Sequence, residues 1–207
     1  LVSGAYGKYH LATGQEISVY GDVGFAIDTY DLLNGYPNKC GIYQISLSID
    51  SQLVFEQDFE KLNFSTLRYI NTYTDYPLFK KYRSYYHKQF IGENNRLRIY
   101  PVKQNNGVFS FADGKKHKIK YTVIDSYGNK SELSFQVNSL LERPEVPQKE
   151  KTKPLAFFTV DGPDFFMDGN LTIDVPPLAL YDNMSFNYKE LPGVKNGIGK
   201  VYQIGNE

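Results

Sequence analysis

The chain has 207 residues and a mass of 23.7 kDa, with 41% hydrophobic and 22% charged residues, the balance of an ordinary folded protein rather than a disordered tail. Lys and Arg number 23 and so do Asp and Glu; a neutral chain lacks the basic field that holds a phosphate backbone, which argues against a nucleic-acid partner. No apolar run approaches the length of a transmembrane segment, and the single Cys40 allows neither an internal disulfide nor a cysteine-built zinc site.

The length suggests one full domain plus a remainder. The chain opens at Leu1 without a Met or a signal-like apolar stretch, and so reads as an interior or processed piece. Eighteen Tyr and 14 Phe, with no Trp, favour pleated, half-buried surfaces. In chain order, strands are expected at Ile17–Tyr20, Val23–Ile27, Ile42–Ile49, Leu53–Phe59, Leu97–Tyr100, Val108–Phe111, His117–Asp125 and Ser131–Val137. The three longest alternate cleanly: Tyr43, Ile45, Leu47 and Ile49; Ile119, Tyr121 and Val123; Leu133, Phe135 and Val137. Such alternation marks antiparallel sheets with one wet face.

Turn chemistry separates these runs. Asp50-Ser51, Asn106-Gly107, Asp113-Gly114 and Tyr127-Gly128-Asn129 each read as a hairpin turn. The expected fold class is therefore all-β: residues 1–141 form an immunoglobulin-like antiparallel β-sandwich, carrying a short helical or irregular insertion at about 60–85. Residues 142–154, charged and with three prolines, read as a linker. Residues 155–207 read as a partial second β domain with strands at Ala156–Val160, Leu171–Val175 and Met184–Lys189. Roughly 50 residues are too few to bury a complete sandwich core unaided, so this segment either lacks strands or packs on the first domain.

Within the insertion, Tyr69, Tyr73 and Tyr76 fall at i, i+4 and i+7, and Phe79 and Tyr82 at i and i+3, which is helical spacing. Asp75 is a candidate cap for a short second helix, with Pro77 tolerated in its first turn. Tyrosines and arginines are frequent anchors of sugars and of protein partners. The candidate binding residues are accordingly Arg68, Tyr69, Tyr73, Tyr76 and Tyr82. The competing reading, which aromatic stripes at helical spacing favour, is that the insertion folds back to cover an edge or face of the sandwich.

The search for catalytic chemistry yields little. His10, His87 and His117 are scattered, and none belongs to His-Glu-x-x-His or His-x-His. His10 and His117 read as solvent-facing strand residues and His87 as a strand residue returning from the insertion. Cys40 has no base at hand and reads as a structural thiol. No nucleophile elbow or phosphate loop is present. The acid-bearing stretches Asp28–Gly35 and Asp161–Asn170 space their carboxylates by three or four residues rather than two, and turn chemistry accounts for them without calcium.

The stretch from Gly24-Phe-Ala-Ile-Asp28-Thr-Tyr-Asp31 through Asn34-Gly35 and Asn38-Lys39-Cys40-Gly41-Ile-Tyr43, then Arg68-Tyr69-Ile70-Asn71 and Asp75-Tyr76, resembles a known group. These are the non-catalytic segments C-terminal to the peptidase domain of Gram-negative lysostaphin/LytM-type peptidoglycan metallopeptidases. Asn94-Asn95-x-Leu97-x-Ile99-Tyr100, Asp113-Gly114-Lys115-x-His117-Lys118 and Asp125-x-Tyr127-Gly128-Asn129-x-Ser131 continue the resemblance, which spans roughly residues 15–138. Residues 171–188 look like the next β-rich segment of the same proteins.

The family's peptidase domain holds zinc through His-x-x-x-Asp and His-x-His, and neither motif occurs here. The resemblance therefore implies no catalytic or metal residue and no cofactor in this chain, with zinc expected only in an absent N-terminal peptidase domain. It implies a non-enzymatic accessory module of a zinc endopeptidase in the bacterial cell envelope, on the periplasmic side. The expected partners are that peptidase domain and peptidoglycan or envelope proteins. The alternative is a glycan- or cell-wall-binding module using the tyrosine-rich insertion; an independent enzyme would need a catalytic group assembled across the fold.

Overall fold

The computed structural model describes residues 2–12, 16–32, 38–145, 153–194, 197 and 199–205. Strands predominate and the few helices are short. The chain divides into two compact units, Leu1–Glu145 and Val146–Glu207.

In the first unit the strands are β1 (Val2–Ala5), β2 (Lys8–Leu11), β3 (Ile17–Val19), β4 (Gly21–Gly24), β5 (Ala26–Asp28), β6 (Asp31–Leu32), β7 (Lys39–Cys40), β8 (Gln44–Ile49) and β9 (Gln52–Asp58). After the insertion come β10 (Tyr86–Lys88), β11 (Val102–Lys103), β12 (Val108–Phe111), β13 (Lys116–Ile124) and β14 (Lys130–Ser139). An eight-stranded sheet runs β1-β2-β14-β13-β8-β9-β11, with β3 also pairing β14. The pairs are antiparallel except that β2 and β3 both lie parallel to β14, at different points along it. Separate short ladders join β4 to β12, β5 to β10 and β6 to β7.

The period-2 pattern decides which face is buried. Ile45, Leu47, Phe55, Gln57, Ile119, Tyr121, Leu133 and Val137 are all buried, and cross-strand register puts them on one face. Full burial of one such aliphatic or aromatic side chain stabilises by about 1.5–3 kcal/mol. The short ladders reach this face: Phe111 of β12 meets His117 of β13 edge-on at 5.3 Å, and Phe25 meets Phe111 at 5.9 Å. Beyond β10, Gln89 donates to Gln57 Oε1 at 2.8 Å, and both side chains are fully buried.

Asp50-Ser51 turns β8 into β9 with both residues at positive φ, the tight hairpin turn expected there. Tyr127-Gly128-Asn129 likewise closes β13 onto β14. Two other turns depart from expectation. Asn106-Gly107 and Asp113-Gly114 connect strands that do not pair with each other: β11 pairs β9, β12 pairs β4 and β13 pairs β14 and β8. They are corners between ladders rather than hairpins. Gly107 is required at its corner, since it has φ +80 and a Cβ there would lie 2.1 Å from the Gln89 carbonyl oxygen.

Leu97–Tyr100 is not a strand. Leu97, Ile99 and Tyr100 are buried, yet the segment joins no ladder and offers a single carbonyl, that of Ile99, to Asp58 N–H at 2.8 Å. Burial gave it an apolar pattern without sheet pairing. Val23–Ile27, expected as one strand, is split at Phe25 between β4 and β5, which pair with different partners. At the sheet margin, β1 is exposed along its whole length, and Gly4 holds φ +135 with the Lys8 carbonyl oxygen 2.2 Å from where a Cβ would stand.

The second unit has β15 (Ala156–Phe158), β16 (Asp164–Asp168), β17 (Leu171–Val175), β18 (Met184–Phe186), β19 (Tyr188–Leu191) and β20 (Val201–Ile204), paired as three two-stranded ladders. Its small core is Phe158, Val175 and Phe186, with Phe158 and Phe166 each 4.9 Å from the Phe186 ring centre. The acid-rich stretch Asp161–Asn170 holds strand β16 and the turn that follows it, and Asp164 accepts bonds from the Thr159 backbone N–H and hydroxyl. The Asn34-Gly35 turn and residues 146–152 of the expected linker lie outside the described residues. No helix among the described residues is long and apolar enough to cross a membrane.

Candidate functional site

The insertion is helical, as its spacing predicts, but in three pieces: a 3-10 turn at Phe64–Tyr69, α1 at Ile70–Tyr73 and α2 at Tyr76–Tyr82. Asp75 caps α2 by accepting from Leu78 N–H at 2.9 Å, with proline in the first turn. Arg83 ends it in the left-handed conformation, its N–H bonded to the Phe79 carbonyl at 2.8 Å.

Thr74 is extended and forms a bridge with His87, so α1 and α2 are not one continuous helix. The i, i+4, i+7 spacing is thereby divided between two environments. Tyr69 and Tyr73 are each 8% exposed, whereas Tyr76 and Tyr82 are 63% and 52% exposed and Arg68 is exposed beside the Tyr69 ring. The five candidate residues therefore do not form one surface. Tyr76, Phe79 and Tyr85 form a ring cluster, with Phe79 stacked on Tyr85 at 4.7 Å.

Tyr73 is an anchor of the fold. Its ring packs 5.5 Å from Phe59, and its hydroxyl is hydrogen-bonded to His87 Nδ1. His87 Nε2 lies 3.1 Å from the Thr29 carbonyl oxygen. A carbonyl can only accept, so Nε2 carries the proton, and neutral Nδ1 then accepts from the Tyr73 hydroxyl. Burial pushes the His87 imidazole below its ordinary pKa and raises that of Tyr73, which keeps both neutral. Burial likewise pushes Tyr100 up to about 12.

His117 has the opposite environment. Its Nδ1 is 2.7 Å from Asp50 Oδ2 and its Nε2 is 3.1 Å from Asp113 Oδ1, so both ring nitrogens donate and the imidazolium is favoured. Its bonds to the Asp50 and Asp113 carboxylates raise its pKa. The Lys118 backbone N–H, then His117, hold Asp50 low, and Asp113 is lowered first by His117. The expected solvent-facing strand residue is thus a clamp with its side chain 18% exposed. His10 lies on exposed β2, and His87 lies on β10, the strand returning from the insertion. Among the described residues no group of three or more His, Cys, Asp or Glu could hold a metal ion. Cys40 is half-buried, with its sulfur 4.0 Å from the Asn38 carbonyl oxygen.

A feature with no local sequence signal is a groove of about 840 Å³ in the first unit, between residues 27–32 and the far end of β13 and β14. Its lining comes from positions 2 to 133, so no window of sequence displays it. A smaller hollow of about 400 Å³ lies beside Asp58, Glu60, Lys61, Arg98 and Lys103.

No family model, curated protein or solved structure matches this chain.

Proposed function

We propose that the chain is the non-catalytic accessory region of a periplasmic zinc peptidoglycan endopeptidase, with the first unit an immunoglobulin-like sandwich that positions or targets the catalytic domain. The observation that carries this reading is how the titratable side chains are used. His87 is committed to Tyr73 and Thr29, and His117 to Asp50 and Asp113, which leaves neither free to activate water. Each does structural service between segments distant in sequence. The choice of family in this reading rests on the resemblance at Gly24–Tyr43 and Arg68–Tyr76.

The test is incubation of the full chain with purified peptidoglycan sacculi. Co-sedimentation without release of soluble fragments is expected; release of fragments by the metal-replete chain would overturn the reading, as would failure to associate with either sacculi or the parent's peptidase domain.

A second reading, a glycan-binding module, is favoured by the exposed rings of Tyr76, Tyr82 and Tyr85 around α2. Exposed aromatic faces suit sugar rings. Tyr76→Ala with Tyr82→Ala is expected to weaken co-sedimentation while preserving the fold, and unchanged binding would count against this reading. Tyr69 and Tyr73 are excluded from that test because they are buried in the fold.

A further inference from the structure

Helix α2 and the turn after it form a patch that the fold leaves open. Of residues 76–85 only Leu78, Phe79 and Ser84 are partly covered, and α2 has no buried residue. Tyr76, Tyr82 and Tyr85 remain more than half exposed, although large rings are the side chains a fold gains most from burying. Phe79 is stacked on Tyr85 at 4.7 Å and lies 6.5 Å from Tyr76, so the rings brace one another.

The charge of this patch has one sign. Residues 76–88 hold Lys80, Lys81, Arg83 and Lys88 and no Asp or Glu. That is a surplus of four positive charges in a chain whose 23 Lys and Arg match its 23 Asp and Glu. Just before the helix, the Asp75 carboxylate is used on the Leu78 N–H. Asp28 of β5 stands opposite Tyr86, outside the exposed run. Among the described residues no ion pair engages Lys81, Arg83 or Lys88. Lys81 stands instead over the Tyr82 ring at 4.9 Å.

The hydrogen-bonding chemistry of the patch separates the occupants it could take. Residues 76–88 contain no Asn or Gln either, so their side chains offer ammonium, guanidinium and hydroxyl donors but no carboxylate or amide oxygen. Such a set poorly matches a neutral sugar, whose hydroxyls must also donate. It matches a lipid phosphate, which only accepts. No acid fixes Lys81 or Arg83 in the way that recognition of a rigid partner requires, and headgroups in a fluid layer need no fixed placement. Tyrosine rings beside basic side chains are also the combination that seats at the boundary between headgroups and acyl chains.

We propose that the α2 patch docks the protein on an anionic phospholipid surface. Lys81, Arg83 and the neighbouring lysines meet the phosphates, and Tyr76, Tyr82 and Tyr85 sit at the headgroup boundary. This goes beyond the accessory-module reading and does not rest on it. It competes with the glycan reading for the same rings, and the experiment separates the two.

The chain has no Trp, so Tyr82→Trp places a single fluorescent reporter in the patch. The test titrates this full-length variant with vesicles of equal parts phosphatidylglycerol and phosphatidylcholine, with pure phosphatidylcholine vesicles and with peptidoglycan sacculi. A saturable blue shift is expected with the anionic vesicles, weakened at least about tenfold by high salt and absent with the neutral ones. Lys81→Gln with Arg83→Gln in that background is expected to weaken binding at least about tenfold. Lys115→Gln with Lys116→Gln removes the same charge beside β13 and is expected to weaken it less than about threefold. No blue shift with anionic vesicles, equal affinity for neutral ones or equal loss from the two double variants would overturn the proposal. So would a blue shift with sacculi and none with vesicles, which returns the rings to the glycan reading.

Discussion

His117 Nδ1 lies 2.7 Å from Asp50 Oδ2 although the two residues are 67 positions apart. Asp50 belongs to the β8–β9 hairpin turn, and His117 lies near the start of β13. The same imidazole reaches Asp113 at the preceding corner, so one side chain ties two turns together. Because these bonds raise the folded-state pKa of His117, their contribution is full below the unfolded value of about 6.5 and is lost as pH rises through the folded value. His117→Gln is expected to lower the melting temperature most near pH 6 and least near pH 9. A gap that is constant or widens with pH would contradict the clamp.

His87 carries the opposite sign. Burial lowers its folded-state pKa, so the unfolded chain takes up a proton at about pH 6.5 while the folded chain stays neutral. Stability from this site is present above that pH and declines as pH falls through it. In a His117→Gln background, where the opposing clamp is gone, His87→Gln is expected to flatten the decline between pH 7 and 5. Tyr73→Phe, which leaves Nδ1 without its donor, is expected to destabilise by about 1 kcal/mol, read from urea denaturation.

Gly107 and Gly128 give a matched pair. Both have positive φ, +80 and +84, but a Cβ at Gly107 meets the Gln89 backbone at 2.1 Å, whereas none of the surroundings of Gly128 comes within 4 Å. Gly128→Ala is expected to destabilise by roughly 1 kcal/mol from backbone strain alone, and Gly107→Ala by more than about 2 kcal/mol because the corner must also shift. Comparable denaturation midpoints for the two variants would contradict the close approach at Gly107.

The second unit's core offers little redundancy. Phe186 is 1% exposed, and the described side chains of its cluster belong to that unit. Phe186→Ala is expected to remove about 3–5 kcal/mol, more than a core of this size can spare. Amide resonances of residues 153–205 should collapse while those of β8, β13 and β14 keep their dispersion. Parallel loss in both units would show that the second does not melt on its own.

The sequence made the long strands readable because β8, β13 and β14 each bury one face, and burial of one face writes an alternating pattern. It misled at Leu97–Tyr100, where buried apolar side chains stand on a segment that pairs with no strand. It misled again at Asn106-Gly107 and Asp113-Gly114, since a turn-forming dipeptide specifies local backbone and not which strand comes next to which. The helical spacing of Tyr69, Tyr73 and Tyr76 correctly announced helices, yet the extended Thr74 sends Tyr73 inward and leaves Tyr76 outside. The groove around Tyr121 was invisible for a different reason: its walls are contributed by residues brought together only when the sheet forms.

The outermost strand, β1, has a consequence for how these molecules meet one another. A straight strand at a sheet margin invites recruitment of a second chain and growth into fibres. At Gly4 the backbone adopts φ +135, and the Lys8 carbonyl crowds the place of a side chain. A margin bent at one of its four residues is a poorer template for copying than a straight one, which bears on edge-to-edge pairing at this end of the sheet.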